Sequence, residues 1–132
     1  ISDPLFSIGA DGFVTRDSGP LAKTTNHPNC YGWTPRVVQK YVLEERLMSL
    51  ETAVCKMTSM PAARFGIYDR GMIRKDMKAD VIVFDPKAFK TAATYLKPHV
   101  YAEGMDYVVV NGRMALEQGV ATNTLAGKVL GR

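Results

Sequence analysis

The sequence predicts an α/β region followed by a β region, with helices first in the chain and strands last. Helical periodicity runs from residue 34 to residue 65, and the period becomes extended after Gly71. The dipeptide Asn111-Gly112 lies between two apolar runs and is the strongest short signal for a β-hairpin. This division predicts two structural regions that meet near residue 70.

Composition limits the classes of protein to consider. The 132 residues have the length of one domain, and 46% hydrophobic residues are typical of a globular core. The net charge is +4, but Lys and Arg are scattered among Asp and Glu, which argues against a nucleic-acid partner. Cys30 and Cys55 lie in unrelated settings, which favours a reduced, cytoplasmic compartment. No apolar run approaches the ~18 residues of a membrane span, and no signal peptide opens the chain. Because the first residue is Ile rather than Met, we expect the chain to begin inside a larger protein.

The first part of the chain predicts a short strand and a long loop. Residues 1–11 contain an apolar run that ends at Asp11 and is interpreted as a strand-like segment. Residues 12–34 are rich in turn-forming residues and form a predicted loop of roughly twenty residues, a length that is usually functional or disordered. On local sequence alone Asp11-Gly12 favours a plain turn, but α/β folds also place catalytic residues where a strand ends.

Three helical segments are predicted next. Thr34-Pro35 predicts a helix start, because Thr is a good N-cap and Pro is tolerated at the first helical position. A second helix follows Ser49, with apolar residues at i, i+3, i+4 and i+7, namely Leu50, Ala53, Val54 and Met57. Pro61 opens a further short turn, which Gly66 closes in the left-handed conformation.

Short apolar runs after Gly71 predict strands. The run at 81–84 is apolar throughout, which predicts a strand without a solvent-exposed face. Residues 87–105 are predicted to form a long irregular connection. A turn is predicted at 75–78. The predicted strand segments are Met72-Ile73, 81–84, 107–110, 113–116 and, weakly, 120–122.

Two groups of motifs carry a family resemblance. The C-terminal group resembles the closing β-region of the amidohydrolase superfamily: Asp69-Arg70-Gly71-Met72-Ile73, Asp80-Val81-Ile82-Val83-Phe84-Asp85-Pro86 and Val108-Val109-Val110-Asn111-Gly112. The N-terminal group is similar to the C-terminal part of the N-acyl-D-amino-acid deacylases, or D-aminoacylases: Ile8-Gly9-Ala10-Asp11-Gly12, His27-Pro28, Tyr31-Gly32, Pro35-Arg36-Val37 and Met57-Thr58-Ser59-Met60-Pro61-Ala62. The resemblance extends over essentially the whole chain.

The resemblance implies a fold of which this chain is a fragment. The family has a metal-dependent (β/α)8 barrel and a small β-sandwich built from both chain ends. Residues 1–68 would be the terminal strand and helices of the barrel, and residues 69–132 the C-terminal part of the sandwich. The family's Cys and His metal ligands lie on earlier strands, and this sequence has two histidines and no His-x-His pair.

Asp11 is the catalytic residue and metal ligand that the resemblance implies, with zinc as the cofactor. Zinc lowers the pKa of a bound water towards ~7, and an adjacent carboxylate takes the proton and later hands it to the departing amine. The family usually has Ser before this Asp. Ala10 stands there instead, which removes a hydroxyl and leaves the carboxylate.

His27, Asn29 and Arg36 are the substrate-binding residues implied by the same resemblance. Related deacylases generally have His-Pro-Arg, whose arginine would bind the substrate carboxylate through two hydrogen bonds. Asn29 cannot make that charged pair, so either Lys23 or Arg36 supplies the charge or the substrate differs. Locally, His27 is equally compatible with a structural role and Arg36 with a helix-start residue on the surface. His99 is predicted to be structural.

Two classes of function follow. The chain is either a piece of a zinc-dependent hydrolase of N-acyl-D-amino acids, which we expect to be inactive when isolated, or a non-catalytic domain derived from such an enzyme. Within the enzyme class, a cyclic-amide hydrolase of the hydantoinase or dihydroorotase type is the alternative, because the closing β-region is widely shared.

The resemblance also predicts an uncovered apolar face on the strands after Gly71. In the family, N-terminal strands would cover it, so we expect the isolated chain to self-associate or to pack against another copy. The expected partners are therefore the remainder of the parent enzyme or another copy of the chain, together with a small-molecule substrate, an N-acyl-D-amino acid. Sedimentation velocity measures this directly. A monodisperse monomer without an exposed apolar face would contradict the expectation.

Overall fold

Helices occupy the first half of the molecule and an antiparallel sheet the second. The structure is a computed structural model that describes residues 1–13, 15–16, 18–24 and 27–130. Its elements are a 3-10 helix at Pro20–Lys23, α1 (Asn29–Arg36) continued by a π-helix at Val37–Glu44, α2 (Leu50–Met57), α3 (Ser59–Arg64), β1 (Val81–Phe84), β2 (Met105–Val110), β3 (Arg113–Glu117) and β4 (Val120–Ala121). The predicted order of helices and strands is confirmed.

The predicted start of the first helix was wrong. Helix α1 begins at Asn29 rather than at Thr34-Pro35, and Pro35 lies inside it. The side chains of Cys30 and Tyr31 are buried, 6% and 7% exposed, so tertiary packing draws these residues into the helix and overrides the local capping signal. The helix widens to π geometry directly after Pro35, which lacks the N–H of a regular α-helical turn.

Helices α2 and α3 form where the sequence predicts them. The Ser49 side chain accepts a hydrogen bond from the backbone N–H of Thr52 and caps α2. Glu51 lies in the first turn of α2. Its carboxylate accepts hydrogen bonds from the Glu51 backbone N–H and from the Ser49 side chain, and these hold the pKa of Glu51 below its usual value. Gly66 has a φ of +72° just after α3, as predicted.

The core lies between the π-helix and α2. Its buried members are Val37, Val42 and Ala53, and Ile8 and Trp33 pack against them among others. Residues 1–11 do not form the predicted strand. The Ile8 N–H donates to the carbonyl of Lys56 on α2, at 2.9 Å. This segment is therefore hydrogen-bonded to the end of a helix rather than to a neighbouring strand.

The four strands follow one another in the order β1-β2-β3-β4, each antiparallel to the next. Val81 on β1 lies opposite Val109 on β2. Asn111 and Gly112 have φ values of 48° and 76°, the type I′ geometry expected of an Asn-Gly hairpin. The strand predicted at Met72-Ile73 does not form.

An apolar groove separates α2 and α3 from the sheet. It encloses about 820 Å³ and is lined by side chains such as Leu50, Val54, Val81 and Val108. Ile82 on β1 is 48% exposed, so this strand is less buried than its composition predicts. The groove is the kind of uncovered apolar surface that we expected, and self-association stays a prediction. Within the described ranges, no helix is both long and apolar enough to cross a membrane.

Candidate functional site

A buried lysine holds the segment that leads to Asp11. Lys56 on α2 is 1% exposed. Its ammonium donates hydrogen bonds to the backbone carbonyls of Asp3 and Phe6. A buried cation with such partners satisfies its charge through polar backbone atoms, and here it ties residues 3–8 to the helix. Sequence reasoning missed Lys56, although a lysine three residues after Ala53, on the buried face of α2, was an available signal.

Asp11 lies beside the start of α1. A Cβ at position 12 would lie 3.1 Å from Cys30 Sγ and 3.2 Å from Cys30 Cα, which is tighter than an ordinary van der Waals contact, so the chain passes close to the helix here. Asp11 itself is exposed. In the described part of the chain its carboxylate has no hydrogen-bond partner. It is therefore accessible to a ligand approaching α1.

The three predicted substrate-binding residues line one cavity. This cavity encloses about 450 Å³, and its walls are His27, Pro28, Asn29, Gly32 and Arg36 on one side and Thr91, Ala93, Thr94 and Tyr95 on the other. Asn29 and Arg36 are seven residues apart, which is about two helical turns, so they share one face of α1. Neither Asp11 nor Lys23 is among the residues that line the cavity.

His27 is held by two hydrogen bonds. Its Nδ1 accepts from the backbone N–H of Asn29, at 3.0 Å. Its Nε2 lies 3.1 Å from the hydroxyl oxygen of Tyr95. The two rings meet edge to face, with centroids 5.0 Å apart. Both ring nitrogens are thus engaged within the protein.

The connection between β1 and β2 packs over the loop that follows Asp11. His99 Nε2 lies 2.8 Å from the carbonyl oxygen of Thr24, which agrees with its predicted structural role. The ring of Tyr101 lies 5.7 Å from that of Tyr31 on α1. The Tyr31 hydroxyl donates to the carbonyl of Thr15, at 3.0 Å, and accepts from its N–H, at 3.2 Å. Helix α1, the loop and the connection therefore form one packed unit.

Sequence reasoning missed the second wall of the cavity. Tyr95 and Thr91 belong to a stretch that predicted only an irregular connection. The clustering of Tyr95, His99 and Tyr101 in such a stretch was a signal, because aromatic side chains in a connection are usually packed against something.

The described residues do not build a metal centre by themselves. Among them, no group of three or more His, Cys, Asp or Glu side chains lies close enough to hold a metal ion. Structural and catalytic zinc sites need three or four protein ligands. Asp11 alone does not fit a complete site, and its role as a metal ligand stays a prediction.

A sequence model of the amidohydrolase family matches residues 4–115. The chain belongs to the amidohydrolase family.

Particular relatives are deacylases of N-acyl-D-amino acids. The D-aminoacylase of Alcaligenes xylosoxydans xylosoxydans is 40% identical over 125 residues, which are 95% of this chain and 24% of that protein. A crystal structure of D-aminoacylase matches with a TM-score of 0.77 and 41% identity, over 82% of this chain and 23% of that one. The N-acyl-D-glutamate deacylase of Bordetella bronchiseptica, solved with zinc and a phosphonate mimic of the tetrahedral intermediate, matches with a TM-score of 0.75 and 34% identity, over 96% of this chain and 26% of that one.

These matches confirm the resemblance to the D-aminoacylases. The chain spans about a quarter of the length of these relatives.

Proposed function

We propose that these residues contribute the catalytic carboxylate and one substrate cavity to an N-acyl-D-amino-acid deacylase. The observation that carries the proposal is the convergence of His27, Asn29 and Arg36 on a single cavity. The similarity of the chain to deacylases of N-acyl-D-amino acids supports the same assignment.

The reaction is hydrolysis of the amide. Water adds to the acyl carbon, the carbon–nitrogen bond breaks, and the products are a carboxylic acid and the free D-amino acid. One proton must leave the attacking water and one must reach the departing nitrogen. We assign both transfers to Asp11, whose exposed carboxylate has no partner among the described residues and can both accept and return a proton.

Zinc is the cofactor we propose for the complete enzyme, because a related deacylase was solved with it. The described residues hold no cluster of ligands, so the ion would be bound mainly by groups outside this chain, with Asp11 as the ligand from within it.

Arg36 is the cation that we assign to the substrate carboxylate. The sequence left Lys23 and Arg36 as alternatives, and of these two Arg36 lines the cavity. Arg36 has no ion-pair partner among the described residues. Its guanidinium can donate two parallel hydrogen bonds to a carboxylate, which the neutral amide of Asn29 cannot do with the same strength.

The two proposed structural regions remain residues 1–68 as the end of the barrel and residues 69–132 as part of the sandwich. The change from helix to strand between Arg64 and Val81 supports this division.

The two free cysteines, Cys30 and Cys55, support the proposed cytoplasmic location. The proposed partners are the remainder of the enzyme or another copy of the chain, both suited to the apolar groove.

Substrate assays of a full-length protein that contains these residues test the proposal. We expect turnover of N-acyl-D-amino acids, and none of their L-enantiomers or of cyclic amides. Replacing Arg36 by Gln should raise KM roughly 10-fold or more, because a hydrogen bond to a charged group contributes about 1.5–3 kcal/mol.

Lys23→Gln is the matched control, since Lys23 is a cation that does not line the cavity, and KM should stay unchanged. Turnover of cyclic amides alone would contradict the deacylase assignment. Absence of any turnover by a correctly folded, zinc-loaded protein would favour the non-catalytic domain.

A further inference from the structure

We infer that Tyr95 determines specificity in the cavity, by donating a hydrogen bond from its hydroxyl to an acceptor on the side chain of the bound N-acyl-D-amino acid. The inference rests on the proposed function and goes beyond it, because it assigns the side-chain contact to the connection between β1 and β2.

A short chain of hydrogen bonds fixes the direction in which Tyr95 donates. The backbone N–H of Asn29 donates to His27 Nδ1, so Nδ1 is an acceptor. A neutral imidazole has one acceptor and one donor nitrogen, so Nε2 carries the hydrogen and donates to the Tyr95 hydroxyl oxygen at 3.1 Å. The hydrogen of the Tyr95 hydroxyl is then left for a different acceptor, and the described residues provide none.

The backbone places Tyr95 firmly at the rim of the cavity. Tyr95 and Leu96 form the tip of a turn closed by two backbone hydrogen bonds between Thr94 and Lys97, of 3.0 and 3.1 Å. Tyr95 is 76% exposed, so its hydroxyl is reachable from solvent, and its ring contacts that of His27 edge to face.

The same wall packs tightly onto α1. A Cβ at position 32 would lie only 2.6 Å from Thr91 Oγ1, so glycine at this position allows the connection to approach the helix. The Thr91 side chain therefore lies directly against the α1 backbone at Gly32, which fixes the distance between the connection and the helix at this point.

The lining residues are suited to an anion with more than one acceptor. Arg36 and the Asn29 amide are donors on the α1 side, Tyr95 is a donor on the other, and no Asp or Glu is among the lining residues. If Arg36 binds the α-carboxylate, the Tyr95 hydroxyl, which lines the same cavity from the β1–β2 connection, is available for a second acceptor, such as a side-chain carboxylate or amide. A site built to donate to such a group rejects analogues that lack it.

In this arrangement His27 is a positioning residue. Both of its nitrogens are engaged with Asn29 and Tyr95, so it acts on the substrate through the Tyr95 hydroxyl rather than by direct contact. This differs from the direct substrate contact that the sequence implied for His27.

The test compares Tyr95→Phe with the unmodified full-length protein on two substrates, N-acetyl-D-glutamine and N-acetyl-D-norleucine. Removing only the hydroxyl should lower kcat/KM for the glutamine substrate about 10-fold, which corresponds to about 1.4 kcal/mol and lies within the range of one hydrogen bond. The value for the norleucine substrate should change less than about 2-fold. Tyr68→Phe is the matched control, because Tyr68 is 75% exposed and lies outside the cavity. His27→Phe should reproduce the loss for glutamine, because it leaves Tyr95 unsupported.

A direct binding measurement separates this inference from the proposed function. Calorimetric titration with N-acetyl-D-glutamate needs no turnover. Weaker binding by Tyr95→Phe, with Tyr68→Phe unaffected, supports the inference even if no deacylase activity is found. An unchanged glutamine-to-norleucine ratio in an active Tyr95→Phe enzyme, or unchanged binding by that variant, overturns it.

Discussion

Replacing Asp11 by asparagine is expected to lower kcat for N-acyl-D-amino-acid hydrolysis by about 10²–10⁴-fold, with KM changed little. Asparagine has the shape of aspartate but its amide accepts no proton at neutral pH. The loss should therefore appear in the chemical step rather than in substrate binding, which we propose for a cavity that Asp11 does not line.

Steady-state kinetics of the full-length protein measure both parameters. Asp106→Asn is the matched control, because Asp106 is an exposed aspartate on β2 and its replacement should leave kcat unchanged. Zinc content must be measured for each variant. Retention of full kcat by Asp11→Asn would remove Asp11 from the catalytic machinery, while a proportional loss of zinc and activity would assign it to metal binding alone.

The features that were predictable from the sequence are those decided by neighbours along the chain. The Ser49 cap of α2, the left-handed Gly66 and the Asn111-Gly112 hairpin each depend on local backbone preferences. These preferences act over a few residues, so a single sequence suffices to predict them.

The features that were not predictable depend on distant partners. Helix α1 begins at Asn29 because Tyr31 is packed against residues near position 100, and residues 1–11 bind Lys56 instead of a strand. The contact between His27 and Tyr95 joins residues 68 positions apart. Resemblance to a family indicated His27, Asn29 and Arg36, but it did not indicate that the β1–β2 connection closes the cavity around them.

The connection that carries Tyr95 is anchored at Gly104, and this anchor leads to the largest expected effect on stability. Gly104 has a φ of +82°, and a Cβ there would lie 2.3 Å from the backbone carbonyl atoms of Ala88 and 2.5 Å from the nitrogen of Phe89. The Asp85 N–H also donates to the Gly104 carbonyl, at 3.3 Å. Gly104→Ala should lower the free energy of unfolding by about 3–5 kcal/mol, because backbone atoms cannot yield as a flexible side chain does.

Gly112→Ala separates the two causes of that loss. Gly112 has a similar φ of +76°, but a Cβ there would meet nothing within 4 Å. Its replacement carries only the strain of the left-handed backbone and should cost about 1–2 kcal/mol. Urea unfolding of both variants measures the difference. Equal losses would show that backbone conformation alone decides the effect, and that the close approach of Gly104 to Ala88 does not hold the base of the connection in place.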